Sequence, residues 1–142
     1  MTSGAQRICV LFVCTGNTCR SVLAEYIARD EFGDSASFES AGIKPQQASD
    51  SENAVYTLRA TFNIDASRHV PRDVRLLDLN QFALIIALEN PVAKVLEGMG
   101  VAASKIKTWQ IKDPYGPDLT EYDRACVQLK REILRLKDSI AH

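Results

Sequence analysis

The chain has 142 residues, 46% hydrophobic and 25% charged, the size and composition of one globular domain able to bury a single core. Seventeen basic and eighteen acidic residues give a formal charge of -1, which offers no basic surface for nucleic acid or an anionic membrane. The apolar runs are too short to span a bilayer and Met1–Gln6 lacks a leader's apolar core, so a cytoplasmic protein, one domain over 1–142, is expected. Cys9, Cys14, Cys19 and Cys126 match neither a secreted disulfide framework nor a zinc spacing, which suits a reducing compartment.

Residues 8–13, ICVLFV, form a continuous apolar run, the pattern of a central parallel strand covered on both faces. A helix is expected from Ser21, with Leu23, Tyr26 and Ile27 on one face and Gly33 as its stop. A short strand over 37–41 precedes Gly42. The serine-to-glutamate spacing of Ser49 and Glu52 then predicts a capping box for a helix whose face carries Val55, Leu58 and Phe62. Pro71 makes the stretch DASRHVPRD irregular.

Residues 82–88, FALIIAL, read as a second buried strand, and Asn90-Pro91 as the N-cap and first-turn proline of a helix through Val92, Val95, Leu96 and Met99. A weaker strand over 106–111 runs into the turn-rich KDPYGP. The last helix carries Leu119, Tyr122, Cys126, Leu129, Ile133, Leu136 and Ile140 at spacings of three and four. That stripe suits packing on a sheet better than pairing with a second chain. Alternating strands and helices predict an α/β fold: an open four-stranded parallel sheet with helices on both faces. Ligands of such sheets bind beyond the carboxyl ends of the strands.

Between the first strand and its helix lie residues 14–21, CTGNTCRS, with five residues separating Cys14 from Arg20. A loop of that length lets successive N–H groups converge on one point at a helix N-terminus, an arrangement that binds a tetrahedral oxyanion. Arg20 would add a permanently charged fork suited to two phosphate oxygens. Converging N–H dipoles favour Cys14 as the thiolate, and Ser21 is placed to donate its hydroxyl to that sulfur. Gly16 allows an unusual backbone or a close approach, and Asn17 tolerates a left-handed conformation. The candidate anion-binding residues are therefore Thr15, Gly16, Asn17, Thr18, Cys19 and Ser21, around Cys14 and Arg20. Were the loop to hydrolyse a phosphate ester through a phosphocysteine, an acid would have to protonate the leaving oxygen and then activate water; Asp113 before Pro114 could do both, or could equally be an ordinary turn former.

VCTGNTCRS, the SAG at 40–42 and the late Asp113-Pro114 together resemble the low-molecular-weight protein tyrosine phosphatase family, over nearly the whole chain. The resemblance implies hydrolysis of phosphoprotein through a cysteinyl phosphate, with Cys14 as nucleophile, Arg20 stabilising the transition state and Asp113 as acid. It also implies Asn17 held by Ser40 and His69. Because the basic loop supplies the charge that phosphoryl transfer requires and no cluster of histidines or carboxylates has ligand spacing, no metal and no cofactor are expected, with a phosphorylated protein as partner and a monomer or weak dimer as the state. The sequence departs from the animal enzymes in three places: Val22 replaces a proline, Gly116 follows Tyr115 where they have a second tyrosine, and IKPQQ follows SAG without an aromatic residue.

Thr18 matches bacterial relatives that act on phosphoarginine, so that substrate stands beside phosphotyrosine. Arsenate reduction, known in relatives sharing the fold, needs relay cysteines near 88–96, where the chain has none. A noncatalytic phosphate-binding module would need neither Cys14 nor Asp113. Cys126 is expected in the core, Tyr115 as a cleft wall or a cover for the last helix, and Cys19 as a partner that traps oxidised Cys14 as a disulfide.

Overall fold

Among the described residues four strands, all parallel, form one open sheet. The computed structural model describes residues 7–141, so the expectation drawn from Met1–Gln6 lies outside them. The apolar run is β1 (Ile8–Cys14), flanked by β2 (Ala36–Gly42) and β3 (Leu84–Ala87), with β4 (Ile106–Thr108) at the far edge. Register places Phe12 beside both Ser40 and Ile86.

The central position of β1 explains its unbroken hydrophobicity. Val10 and Phe12 face a core closed by α1 (Arg20–Phe32), α2 (Glu52–Phe62) and α4 (Leu119–Ala141), while Leu11 and Val13 face a smaller core under α3 (Asn90–Gly98). Each such side chain contributes about 1.5–3 kcal/mol on burial, so both faces select apolar residues. The stripe of α4 is used the same way: Tyr122, Cys126, Leu129, Ile133 and Leu136 are buried, and only its outer members Leu119 and Ile140 reach solvent. Among the described residues no helix is long and apolar enough to cross a membrane.

Several boundaries differ from the expectations. The capping box forms two residues earlier: Gln47 and Asp50 make it, and it caps a 3-10 turn over Ala48–Ser51, so α2 begins at Glu52. Serine-to-glutamate spacing indicates an N-terminus but cannot tell a 3-10 turn from an α-helix. In α3 the cap is Glu89, with Asn90 inside the helix, and the buried face is Val92, Ala93 and Leu96, leaving Val95 and Met99 exposed. One-sided packing on the sheet needs only that narrower stripe. Both late strands are shorter than their apolar runs, although Trp109 and Ile111 still donate to Ala87 and Leu88 beyond the end of β4.

Candidate active site

Residues 14–21 leave β1 at its carboxyl end, where the chain passes to β2 on one side while β3 adjoins on the other, and enter α1 at Arg20. The segment after β2 lies along this loop. Ile43 N–H donates to Cys14 O (3.1 Å), Lys44 N–H to Thr15 O (2.8 Å) and Gln46 N–H to Gly16 O (3.0 Å). Because a trans peptide holds its C=O and N–H on opposite sides, turning these three carbonyls outward turns the N–H groups of Thr15, Gly16 and Asn17 inward. This pairing with the segment after β2 is a support for the loop that no local motif announces.

Asn17 locks the loop at φ +56°, a left-handed conformation that asparagine tolerates. Its Oδ1 accepts from the backbone N–H of Arg72 (2.9 Å), which fixes the amide orientation, and Nδ2 donates to Ser21 Oγ (2.8 Å) and Ser40 Oγ (2.9 Å). Ser40 in turn donates to buried Glu25, whose carboxylate is paired with Arg29. Ser21 Oγ is thus an acceptor from Asn17, and it lies 2.9 Å from Cys14 Sγ, a contact in which either atom can donate. The expected support from Ser40 is present. His69 meets the backbone carbonyl of Asn17 (2.8 Å) and not its side chain.

Cys14 is buried, with 2% of its surface accessible, and opens onto a hollow of about 200 Å³. Thr15, Gly16, Thr18, Cys19, Arg20 and Asp113 share that hollow with Gln46, Glu89 and Tyr115. The structure therefore brings Cys14, Arg20 and Asp113 to one cavity. Arg20 NH1 donates to Glu89 Oε2 (2.9 Å) and to Ile111 O (3.3 Å), and Glu89 Oε1 lies 3.5 Å from NH2 and accepts from Thr15 Oγ1 at 3.0 Å. Burial is the largest single influence on the guanidinium and disfavours its charge, but the bond to Glu89 together with the fields of Cys14, Asp113 and Glu89 raises the arginine's pKa, while Arg20 holds the Glu89 carboxyl below its usual range. Asp113 stands at the rim, half exposed, with Oδ2 at 3.8 Å from Arg20 NH2 and Oδ1 accepting from the N–H of Tyr115 (3.0 Å).

Gly16 has no positive φ. A Cβ there would lie 2.5 Å from Gln46 Oε1, so the close approach anticipated is to a flexible side chain that could move aside. The same Gln46 oxygen accepts from Thr18 Oγ1 at 2.9 Å, so the threonine hydroxyl is engaged in the wall of the hollow. Cys19 contributes its thiol to the core, where Sγ meets Tyr122 Oη at 3.4 Å, and burial pushes its pKa up. Tyr115 is exposed at the mouth, and Cys126 lies in the core with its pKa pushed up to about 12 by burial. Among the described residues, no three His, Cys, Asp or Glu side chains are grouped to hold a metal ion.

Sequence reasoning missed Glu89, Gln46 and Glu25. A glutamate directly after a buried strand and before Asn-Pro was a usable signal for the first, since that strand end faces the ligand side of the sheet. Nothing local marks the other two.

The profile of the family described as low molecular weight phosphotyrosine protein phosphatase matches residues 9–142. A low molecular weight protein tyrosine phosphatase from T. tengcongensis has a similar structure, with 32% identity, TM-score 0.84, and coverage of 93% of this chain and 99% of that one. The YwlE arginine phosphatase from Geobacillus stearothermophilus is 25% identical at TM-score 0.81, covering 94% and 93%. An arsenate reductase of Bacillus cereus is 26% identical over 129 residues, 91% of this chain and 93% of its own length. A loop closed around Cys14 and Arg20, and a family profile spanning nearly the whole sequence, agree: the chain belongs to the low molecular weight phosphotyrosine protein phosphatase family.

Proposed function

We propose that this protein is a metal-independent protein phosphatase that hydrolyses phosphotyrosine through a phosphocysteine at Cys14. The observation that carries the reading is Cys14 Sγ facing the Ser21 hydroxyl at 2.9 Å in a hollow shared with Arg20 and Asp113. The inward N–H groups and Arg20 hold the non-bridging phosphate oxygens. The thiolate attacks phosphorus as the phosphorus–oxygen bond to the side chain breaks, and Asp113 gives its proton to the leaving oxygen. The Asp113 carboxylate then takes a proton from water, which attacks the phosphocysteine and releases phosphate. The Ser21 hydrogen stabilises the departing sulfur. Such chemistry needs Cys14 as a free thiol, which a reducing cytoplasm maintains.

The polar wall formed by Thr18 and Gln46, where an aromatic wall would suit a phenyl ring, favours phosphoarginine as a second reading. Hydrolysis of phosphotyrosine and phosphoarginine peptides is to be compared with chelator present, in the parent and in Thr18→Ile. If arginine is the substrate, Thr18→Ile lowers phosphoarginine hydrolysis about tenfold or more relative to phosphotyrosine. An unchanged ratio removes that reading. Arsenate reduction ranks below both, because residues 88–96 carry no cysteine and Cys126 is buried in the core.

Peroxide provides a further prediction. Oxidation of Cys14 to the sulfenic acid and condensation with the Cys19 thiol, releasing water, would give a disulfide that a dithiol reduces. After a peroxide pulse, the parent is expected to regain most of its activity with dithiothreitol and Cys19→Ser markedly less. Equal recovery would show that Cys19 only fills the core beside Tyr122.

A further inference from the structure

We infer that Glu89 is a positioning residue that selects which edge of the Arg20 guanidinium is offered to phosphate; the inference rests on the phosphatase reading above. A guanidinium has two donor edges able to grip an oxyanion with two hydrogen bonds, one formed by NH1 and NH2 and the other by Nε and NH2. Glu89 lies along the first, with Oε2 at 2.9 Å from NH1 and Oε1 at 3.5 Å from NH2, and Ile111 O takes NH1 from its other side at 3.3 Å. The second edge makes no hydrogen bond through Nε, and Asp113 Oδ2 stands 3.8 Å from its NH2. Arg20 Nε is the only buried side-chain nitrogen or oxygen among the described residues without a partner. A buried donor with no protein partner is one that an arriving oxyanion can satisfy.

The carboxylate is itself held. Thr15 Oγ1 donates to Glu89 Oε1 at 3.0 Å, so one side chain joins the phosphate loop, the arginine and the end of β3. Its place in the chain points the same way. Glu89 is the N-cap of α3, yet its side chain makes no capping bond to its own helix and turns toward Arg20.

A carboxylate beside an anion site repels phosphate, so this arrangement costs ground-state binding. The Glu89–Arg20 pair is neutral overall, and the arginine then contributes direction more than net charge. The return is orientation, which matters most when the phosphoryl oxygens spread apart in the transition state. Glu89 should therefore affect kcat and ground-state binding in opposite directions.

The test uses p-nitrophenyl phosphate hydrolysis, inhibition by vanadate, and protection of Cys14 from alkylation by inorganic phosphate, in the parent, Glu89→Gln and Glu89→Asp. Glu89→Gln is expected to lower kcat about 10- to 100-fold, the usual cost of losing a residue that orients a reacting group. Vanadate inhibition should weaken by a similar factor, while phosphate protects Cys14 as well as in the parent or better. Glu89→Asp, with a carboxylate on a shorter stem, should recover part of kcat, and it serves as the deciding variant if Glu89→Gln does not fold. A kcat within twofold of the parent in the folded variant overturns the inference. So does a rise in kcat/KM with tighter phosphate protection, which would make Glu89 a competitor for the arginine. A parent that neither hydrolyses p-nitrophenyl phosphate nor is protected by phosphate would overturn the phosphatase reading itself, and the inference with it.

Discussion

Cys14→Ser is expected to lower hydrolysis of every phosphomonoester substrate by at least about 10⁴-fold, the scale on which loss of a covalent nucleophile is felt. The substitution changes one atom in a side chain that is almost fully buried, so the loop should survive it. Its carbonyls remain zipped to Ile43, Lys44 and Gln46, and Asn17 remains fixed by Arg72 and Ser40. What disappears is the sulfur nucleophile: a serine hydroxyl stays protonated at neutral pH and is a far weaker nucleophile without an adjacent base. Asp113 at the rim is assigned to the leaving oxygen. The variant should still protect its phosphate pocket and bind inorganic phosphate by calorimetry within a few-fold of the parent. Lost hydrolysis with retained binding separates the cysteine mechanism from misfolding. Retained hydrolysis would mean that water attacks phosphorus directly and that Cys14 is a structural thiol.

Much of this site was legible because its parts are local. The apolar run that becomes β1, the eight-residue loop after it and the serine that meets Cys14 lie within one short stretch, and the strand–loop–helix context gave that stretch its meaning. Asp113 needed the family resemblance, since a carboxylate before proline is also an ordinary turn residue. Glu89, Gln46 and Glu25 reach the loop from β3, the segment after β2 and the buried side of α1, and their roles exist only once the sheet places those segments side by side. The early start of α3 hid Glu89 as well: with the strand expected over 82–88 and Asn90 as the cap, Glu89 stood between the two elements with no role assigned. Burial patterns erred where packing is one-sided, as at Val95 and Met99, because a repeat of apolar residues does not say how wide a face the neighbour covers.

Gly42→Ala should damage both stability and activity, because Gly42 is the place where β2 hands over to the segment that turns the loop's carbonyls outward. A Cβ at this position would lie 2.7 Å from Thr15 O and 3.0 Å from Asn17 N, both backbone atoms of the phosphate loop. Neither has a flexible side chain to yield. The position has no slack of its own, since Gly42 N–H is bonded to Arg72 O at 2.8 Å and the residue bridges to Asp73. The loop must therefore shift, and overpacking of this kind typically costs about 1–3 kcal/mol. For a chain of this size that corresponds to a fall in Tm of about 3–10 °C. The functional cost is larger, because displacing catalytic groups by about 1 Å costs on the order of 10² in rate. The expected result is a folded protein with a lowered Tm and kcat reduced about 100-fold. Gly98→Ala is the matched control, since a Cβ there meets nothing within 4 Å at the end of α3, and its activity and Tm should match or exceed the parent's. If Gly42→Ala retains full activity, the zipper between residues 43–46 and the loop is not what aims the N–H groups, and the Asn17 network alone holds them.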